Sequence, residues 1–442
     1  SEMCIRDRHE RKRPKMKVAI VTLGCPKNEV DSLVMANYLT RSGIEVVEPD
    51  HADTVIINTC GFIEDAKKES IDEILKWVEE GKEVWVAGCL TERYKGEIER
   101  LIPEVKGWIY LNDIKEVASL ITDRGIHKRF IGKEKIYLPY FKDIEGLKLG
   151  SSVYVKISDG CDNRCAYCAI PIIRGRLRSR PIEDIVEEVK YHIENGAFEI
   201  NLISQDTTSY GKDLKDGSNL MKLLEEITMI NGSYRVRLLY THPSGIDEDL
   251  LEFISQSDKI IPYIDMPIQH INDEILGMMN RRGGKRAILK AIELIKKKGI
   301  FLRTTVLVGH PGEREETVRE LIDFLVDVRP WRIAVFAYSR EEGTKSYGMK
   351  APSKRLIKEW VNEVQEVATR IMEEESRSVV GSTREIFVTE DGARLDIQAP
   401  EVDGCILNIK DSEKTGIYKA RILDSIFVDF TVEGYEGSGK GY

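Results

Sequence analysis

A chain of 442 residues has room for two to four domains with cores of their own. Its 75 acidic against 66 basic side chains give a net charge of −9, which argues against general adhesion to phosphate backbones. No apolar run reaches the roughly 18 residues a membrane span needs, and no secretory h-region is visible in the opening SEMCIRDRHERKRPK.

That opening stretch, residues 1–15, is expected to be an extraneous tail, with Met16 the expected start. From there strands and helices alternate. KVAIVTLGC reads as a strand, and EVDSLVMANYLTRSG has helical apolar spacing closed by Gly43. DTVIINTC is the next strand, AKKESIDEILKWVEEG a helix stopped by Gly81, and EVWVAGC a third strand. The alternation predicts a doubly wound parallel sheet over 16–135. Residues 124–150 lose periodicity and read as a linker.

A second series spans 150–375. Six candidate strands, SVYVKISDG, FEINLISQD, YRVRLLYTHP, IIPYIDMPIQH, IFLRTTVLVGHPG and RIAVFAYSR, are separated by helical stretches such as IEDIVEEVKYHIENG. Six βα units predict a partial TIM-like barrel, with chemistry at the C-terminal strand ends where the polar punctuation collects. From Ser376 the period shortens. REIFVTE, RLDIQAP, GCILNIK, GIYKARILDS and IFVDFTVEG read as five short strands, an OB-like β-barrel over 376–442.

Eight cysteines in a chain without a visible signal predict a reducing cytoplasm, where clustered Cys favours metals over disulfides. Cys161, Cys165 and Cys168 form C-x3-C-x2-C after the first barrel strand. Gly160 and Asn163 favour a curled loop that aims three sulfurs at one centre. A closed zinc site wants a fourth ligand, as does a standard iron–sulfur cluster; three thiolates suit a four-iron cluster with one iron open to a reactant. Cys25, Cys60 and Cys89 each end a predicted strand of the first domain. In a parallel sheet all C-terminal strand ends share one edge, so these three can meet there. Gly24, Gly61 and Gly88 beside them favour close backbone approach. The plainer alternative is three buried cysteines acting as small hydrophobes. Cys4 reads as part of the tail and Cys405 as β-barrel packing.

The loop GCDNRCAYCAIP resembles the signature of the radical S-adenosylmethionine (SAM) enzymes. The resemblance implies that the open iron chelates SAM, whose reductive cleavage yields a 5′-deoxyadenosyl radical. Two triads in this order, followed by a small β-barrel, resemble the methylthiotransferases over residues 16–436. That family implies an N-terminal auxiliary-cluster domain, a radical SAM barrel, a C-terminal TRAM domain, and two 4Fe-4S clusters on the two cysteine sets. LGCPKNEVDS and GCDNRCAYCAIPIIRGRLRSRPIEDI are most similar to the RimO branch, which modifies an aspartate of the small-subunit ribosomal protein numbered twelve.

The resemblance also suggests contacts. Tyr167, Gln205, Asp206, Gly309, Gly312, Arg178 and Arg180 are expected at the cosubstrate, and Arg174, Arg176, Thr207 and Tyr210 at the substrate. Arg174, Arg176, Arg178 and Arg180 alternate, and in an extended segment they would share one face, their guanidinium groups suited to carboxylates. Beyond the cluster ligands no catalytic residue is assigned. Residues 376–442 carry 8 Lys/Arg and 12 Asp/Glu, a net −4. An acidic module suits a basic protein partner better than RNA, although nucleic acid could still be met through the ribosome. The implied chemistry uses SAM twice, as methyl donor and as radical source, places both clusters on one chamber, and needs an electron donor such as a flavodoxin or ferredoxin. Two rival readings share parts of this pattern: a methylthiotransferase acting on an N6-modified adenosine of tRNA, and a non-catalytic iron–sulfur electron-transfer or ribosome-binding protein.

Overall fold

The computed structural model describes residues 16–122, 134–409 and 414–437. The expected tail with Cys4, and residues 124–133 of the expected linker, lie outside them. The chain forms two compact units, the first made of residues up to 122 without 62–64, the second of 62–64 and everything from Glu134.

The first unit holds β1 (Lys17–Thr22), α1 (Pro26–Arg41), β2 (Glu45–Val46), β3 (Thr54–Thr59), α2 (Glu64–Glu79), β4 (Glu83–Gly88), α3 (Cys89–Leu101), β5 (Gly107–Ile109) and α4 (Val117–Thr122). All its strand pairs are parallel, in the order β2-β1-β3-β4-β5. β3 is buried along its whole length, as a parallel strand covered on both faces must be. Ile74 and Trp77 of α2 and Ile98 of α3 pack on Ala19, Val55, Ile57, Val84 and Val86. α1 lies beside β1 and β3 and buries Val30, Val34 and Met35. The expected doubly wound sheet is what forms.

The second unit opens with α5 (Phe141–Ile144) and β6 (Ser152–Lys156). The cysteine loop is framed by a two-stranded ribbon, β7 (Ser158–Asp159) and β8 (Arg178–Ser179), with α6 (Ile170–Ile173) between them. Then come α7 (Ile182–Glu194), β9 (Glu199–Ile203), α8 (Leu220–Met229), β10 (Arg235–Leu238), α9 (Glu248–Gln256), β11 (Ile260–Asp265), α10 (Asp273–Met278), α11 (Gly284–Lys297), β12 (Phe301–Val308), α12 (Glu315–Val328), β13 (Arg332–Ala337) and α13 (Lys354–Ser378). The six long strands pair in parallel in the order β13-β12-β11-β10-β9-β6, the partial barrel expected from six βα units. α11 shows why the helices dock: Ile288, Ala291, Ile292 and Ile295 recur at helical spacing and are buried, while its lysines face outward.

The C-terminal segment forms β14 (Thr383–Thr389), β15 (Gly392–Leu395), β16 (Gly416–Ile426) and β17 (Asp429–Gly437), an antiparallel sheet in the order β15-β14-β16-β17. It is a curled four-stranded half-barrel. The fifth expected strand, GCILNIK, forms no ladder among the described residues; around the isolated bridge Ile406–Phe430, Ile406 N–H donates to the Ala393 carbonyl (2.7 Å) and Leu407 N–H to that of Phe430 (2.8 Å). The left-handed Gly404 (φ +87°) turns the chain there, and Cys405, expected in the packing, is exposed.

Candidate metal centres

In the first unit the strand order reverses between β1 and β3, and ligand sites of open parallel sheets lie beyond the C-terminal strand ends at such a point. Cys25 follows β1 there, Cys60 follows β3, and Cys89 follows β4. Asn28, in the first turn of α1, gathers these ends. Its Nδ2 donates to the carbonyls of Leu23 (2.9 Å) and Thr59 (3.0 Å). Its Oδ1 stands 3.7 Å from Cys89 Sγ. Asn58 Nδ2 donates back to the Asn28 carbonyl at 2.8 Å. The Cys60 backbone is clasped on both sides by Ser70, whose hydroxyl accepts from its N–H (3.1 Å) and donates to its carbonyl (3.0 Å). A β-carbon on Gly24 would fall 2.8 Å from Cys60 Cβ, so the Cys25 and Cys60 segments touch.

Gly88 has φ +87° and ψ −158°, a region essentially reserved for glycine. A β-carbon there would meet Asn58 Oδ1 at 2.4 Å and the Thr59 carbonyl at 2.5 Å. Gly88→Ala is therefore expected to push Cys89 off the edge. Iron bound after anaerobic reconstitution should fall by about half, while the cysteine loop of the second unit keeps its share. Iron counting on the variant checks this.

In the second unit Cys161, Cys165 and Cys168 sit on the loop leaving β7, at the C-terminal end of β6. Backbone bonds curl the loop. Cys161 N–H donates to the Gly175 carbonyl (3.2 Å), and Cys168 N–H to that of Cys165 (3.1 Å). Ala166 N–H donates to the Met279 carbonyl, and Ser346 N–H to that of Ala166, both at 2.8 Å. Arg164 takes a left-handed conformation (φ 54°) within the loop. Beneath it Asp159, fully buried, receives Arg174 Nη1 (3.0 Å), Gln205 Nε2 (2.7 Å) and the Gly160 N–H (3.0 Å). Burial opposes its ionisation, but Arg174, Lys156 and Arg178 hold its carboxyl down at about 2.

In number and type, three cysteines to each set, the donors suit iron–sulfur clusters with one iron open. Burial pushes the Cys161 thiol up to about 11 and the Cys168 thiol well above its ordinary value, with neighbouring cysteine sulfur adding to both. Such thiols stay protonated until a metal core takes the proton's place. Arg281 Nη1 stands 3.8 Å from Cys165 Sγ, while the Nε of the same guanidinium is buried and has no acceptor among the described residues. Among the described residues no group of three or more His, Cys, Asp or Glu is arranged around a single metal ion. A four-iron core gives each thiolate its own iron, so it asks for a wider spread.

The arginine stripe departs from expectation. α6 ends at Ile173, Gly175 is left-handed (φ +76°), and only Arg178–Ser179 is extended, so the four side chains do not share a face. Arg174 is buried against Asp159. Arg178 spends its donors on the carbonyls of Tyr137, Arg174 and Arg176. Arg180, 1% exposed, is paired with Asp184 and Glu188 and also donates to the Lys156 carbonyl, which is a structural role rather than the expected cosubstrate contact. Arg176 alone of the four is exposed, 3.2 Å from Asp162. Two expected substrate contacts are likewise committed elsewhere. Tyr210 is buried with its hydroxyl donating to the Arg180 carbonyl (2.7 Å), and Thr207 donates to that of Leu239 (2.9 Å).

Asp206 stays at the barrel mouth and accepts from Asn163 (2.6 Å), Thr208 (2.6 Å) and Ser209 (2.7 Å), which ties it to the cysteine loop. Gln205 joins Asp159, and its Oε1 is buried with no donor among the described residues. Tyr167 packs edge-on to His310 in a small cluster with Ile275, Met279, Leu307 and Tyr338. At Gly309 and Gly312 the space of a side chain is filled by Ile357 and Met278, so packing accounts for glycine at both. His310, buried, is pushed down to about 4 and bonds Ser346 Oγ (2.8 Å) and the Pro311 carbonyl (2.9 Å). Asn28 and Arg281 escaped sequence reasoning as site residues. The first had a signal, its place three residues after Cys25 at a helix start; the second, 116 residues from Cys165, had none.

Comparison with known proteins agrees with this layout. The family model of the Radical SAM superfamily matches residues 155–325, and that of the Uncharacterized protein family UPF0004 matches residues 17–109. The chain is 39% identical over 425 residues to the ribosomal protein uS12 methylthiotransferase RimO of Aquifex aeolicus, covering 92% of this chain and 94% of the relative. Its likeness to the protein of the same name from Clostridium tetani is 42% over 357 residues, covering 78% and 80%. Among solved structures, the radical S-adenosylmethionine methyltransferase TsrM of Kitasatospora setae superposes with a TM-score of 0.57 at 15% identity, covering 75% of this chain and 77% of that one, a likeness of fold. Together with the cysteine loop at the mouth of the barrel, the two relatives place this chain in the RimO family of radical SAM methylthiotransferases.

Proposed function

We infer that the chain adds a methylthio group to the β-carbon of an aspartate of ribosomal protein uS12. The observation that carries this is the near full-length identity to RimO proteins, in a chain whose cysteines stand at the ends of three strands and on one barrel loop. Cys25, Cys60 and Cys89 would hold one 4Fe-4S cluster, and Cys161, Cys165 and Cys168 the other. Bound there with SAM, these groups would supply the methyl group and the hydrogen-atom abstraction. The chain's own residues hold and orient. Asn28 and Ser70 fix the first triad, Asp159 and Asn163 brace the second loop, and Arg176, exposed and paired with Asp162, would exchange that partner for a substrate carboxylate. Asp206 and Gln205 sit beside the cysteine loop, where SAM would lie. The C-terminal half-barrel is read as a TRAM module. The reading places the enzyme in the cytoplasm, where it would meet the ribosome and draw electrons from a flavodoxin or ferredoxin; no helix among the described residues is long and apolar enough to cross a membrane.

The test is direct. The reconstituted chain, given SAM, reductant and either uS12 or tRNA, is analysed by mass spectrometry. A CH3S group replacing hydrogen on one aspartate of uS12 is the expected result. Modification of the RNA alone would overturn the substrate while sparing the chemistry.

A further inference from the structure

The turn after α10 grips the cysteine loop at three successive residues. The Met279 carbonyl accepts from Ala166 N–H at 2.8 Å. Asn280, left-handed at φ 51°, donates from Nδ2 to the Arg164 carbonyl at 2.8 Å. Arg281 places Nη1 3.8 Å from Cys165 Sγ. The first two contacts are made to the loop's backbone. The third is different in kind, because it sets a permanent cation against a metal-binding sulfur. Arg281 Nη2 is anchored on the Pro267 carbonyl at the end of β11, so the guanidinium is held rather than swinging. Its Nε, buried, finds no acceptor among the described residues. A planar donor fixed at one edge, touching a thiolate with a second, and holding a third in reserve is what an anionic inorganic core would satisfy.

We propose that Arg281 is a positioning residue that tunes the cluster of the Cys161 loop, donating N–H to the Cys165 thiolate and raising its reduction potential. The physical reason is charge. Reduction adds one electron to the core, and a nearby cation with N–H groups aimed at sulfur stabilises the more negative state. The role of Arg281 differs from that of Asn280, whose side chain donates to a backbone carbonyl of the loop. The inference rests on the cluster reading given above.

The test uses the full-length chain with Cys25, Cys60 and Cys89 changed to alanine, so that one cluster is observed. It is reconstituted anaerobically and titrated under controlled potential, with the reduced cluster followed by electron paramagnetic resonance. R281M is expected to shift the midpoint to a more negative potential. R281K, which keeps the charge, is expected to stay near the parent, and N280A to leave the midpoint where it was. Should R281M not hold its iron, R281Q, which keeps an N–H donor without the charge, is titrated in its place with the same expectation. A loaded R281M or R281Q with an unmoved midpoint overturns the proposal. So does an N280A shift as large as theirs, since the loop's grip would then be the cause. If the parent itself assembles no cluster, the cluster reading fails first, and the two failures are told apart by iron content.

Discussion

Cys161→Ala should abolish SAM cleavage while leaving the other cluster in place, and Cys60→Ala should do the reverse. Reconstituted anaerobically, each variant should hold about half the iron of the parent, because each loses one of two four-iron cores. With SAM and reductant, Cys161→Ala should form 5′-deoxyadenosine only at background. Cys60→Ala should still form it, yet transfer no methylthio group to uS12. The expectation follows from where the ligands sit. Cys161 lies on the loop that Asp159, Asn163 and the Met279 turn brace within the second unit. Cys60 belongs to a separate sheet and is clasped by Ser70. The bonds that brace each triad come from residues of its own unit, Asn28, Asn58 and Ser70 for the first and Asp159, Asn163 and Met279 for the second, so each core can be lost alone. Equal loss of deoxyadenosine in both variants would show the two centres acting as one unit and would defeat the division of labour. Circular dichroism on each variant separates loss of iron from loss of fold.

Much of this was readable in the chain itself, for physical reasons that also mark where reading stopped. The strand-ending cysteines could be assigned to one edge because parallel order puts every C-terminal end on the same side. The six βα units were visible as alternating periods. The arginine stripe was not, because alternation implies a shared face only in extended chain, and Gly175 with the end of α6 breaks the extension. GCILNIK has strand composition but, among its described residues, bonds to Ala393 and Phe430 around one isolated bridge instead of forming a ladder. Net charge is a coarser guide. The C-terminal segment is acidic in sum, but part of that acidity is spent on the barrel. Glu385 pairs with Arg235, Asp403 with Arg303 and Tyr263, Glu390 with Ser151, and Glu401 with Tyr154. A count of carboxylates therefore overstates what the module offers a basic partner. Arg281 was beyond reach because nothing local to NRRGG encodes a contact with a loop 116 residues earlier.

The same docking surface yields the largest expected loss of stability. Glu199, the first residue of β9, is fully buried between two arginines. Arg237 of β10 reaches Oε1 through Nε (3.2 Å) and Nη2 (3.0 Å), and Arg394 of β15 reaches Oε2. Ser152 donates to Oε2 at 2.7 Å. Arg237 also donates to the Asp396 carbonyl (2.9 Å), while Arg384 grips the Asp396 carboxylate at 2.7 and 2.8 Å. One carboxylate thus fastens the C-terminal sheet to the N-terminal rim of the barrel, at the strand ends opposite the cysteine loop. Glu199→Ala strands two buried cations and should cost about 3–5 kcal/mol, read as a lower denaturant midpoint for the second unit. Limited proteolysis between α13 and β14 should quicken as well. Replacing Glu199, Arg237 and Arg394 together by Leu or Met should recover most of the loss, since no charge is then left unpaired. The pH dependence has a definite sign. Burial pushes the Glu199 carboxyl up, but Arg394 and Arg237 outweigh it and hold it below its ordinary 4.5. A carboxyl whose folded value is depressed contributes stability above its unfolded value and loses it as pH falls through the folded one. Parent and Glu199→Ala should therefore differ most at neutral pH and draw together below about pH 4.5. A gap that persisted undiminished in acid would show that packing, rather than the ion pairs, holds the sheet to the barrel.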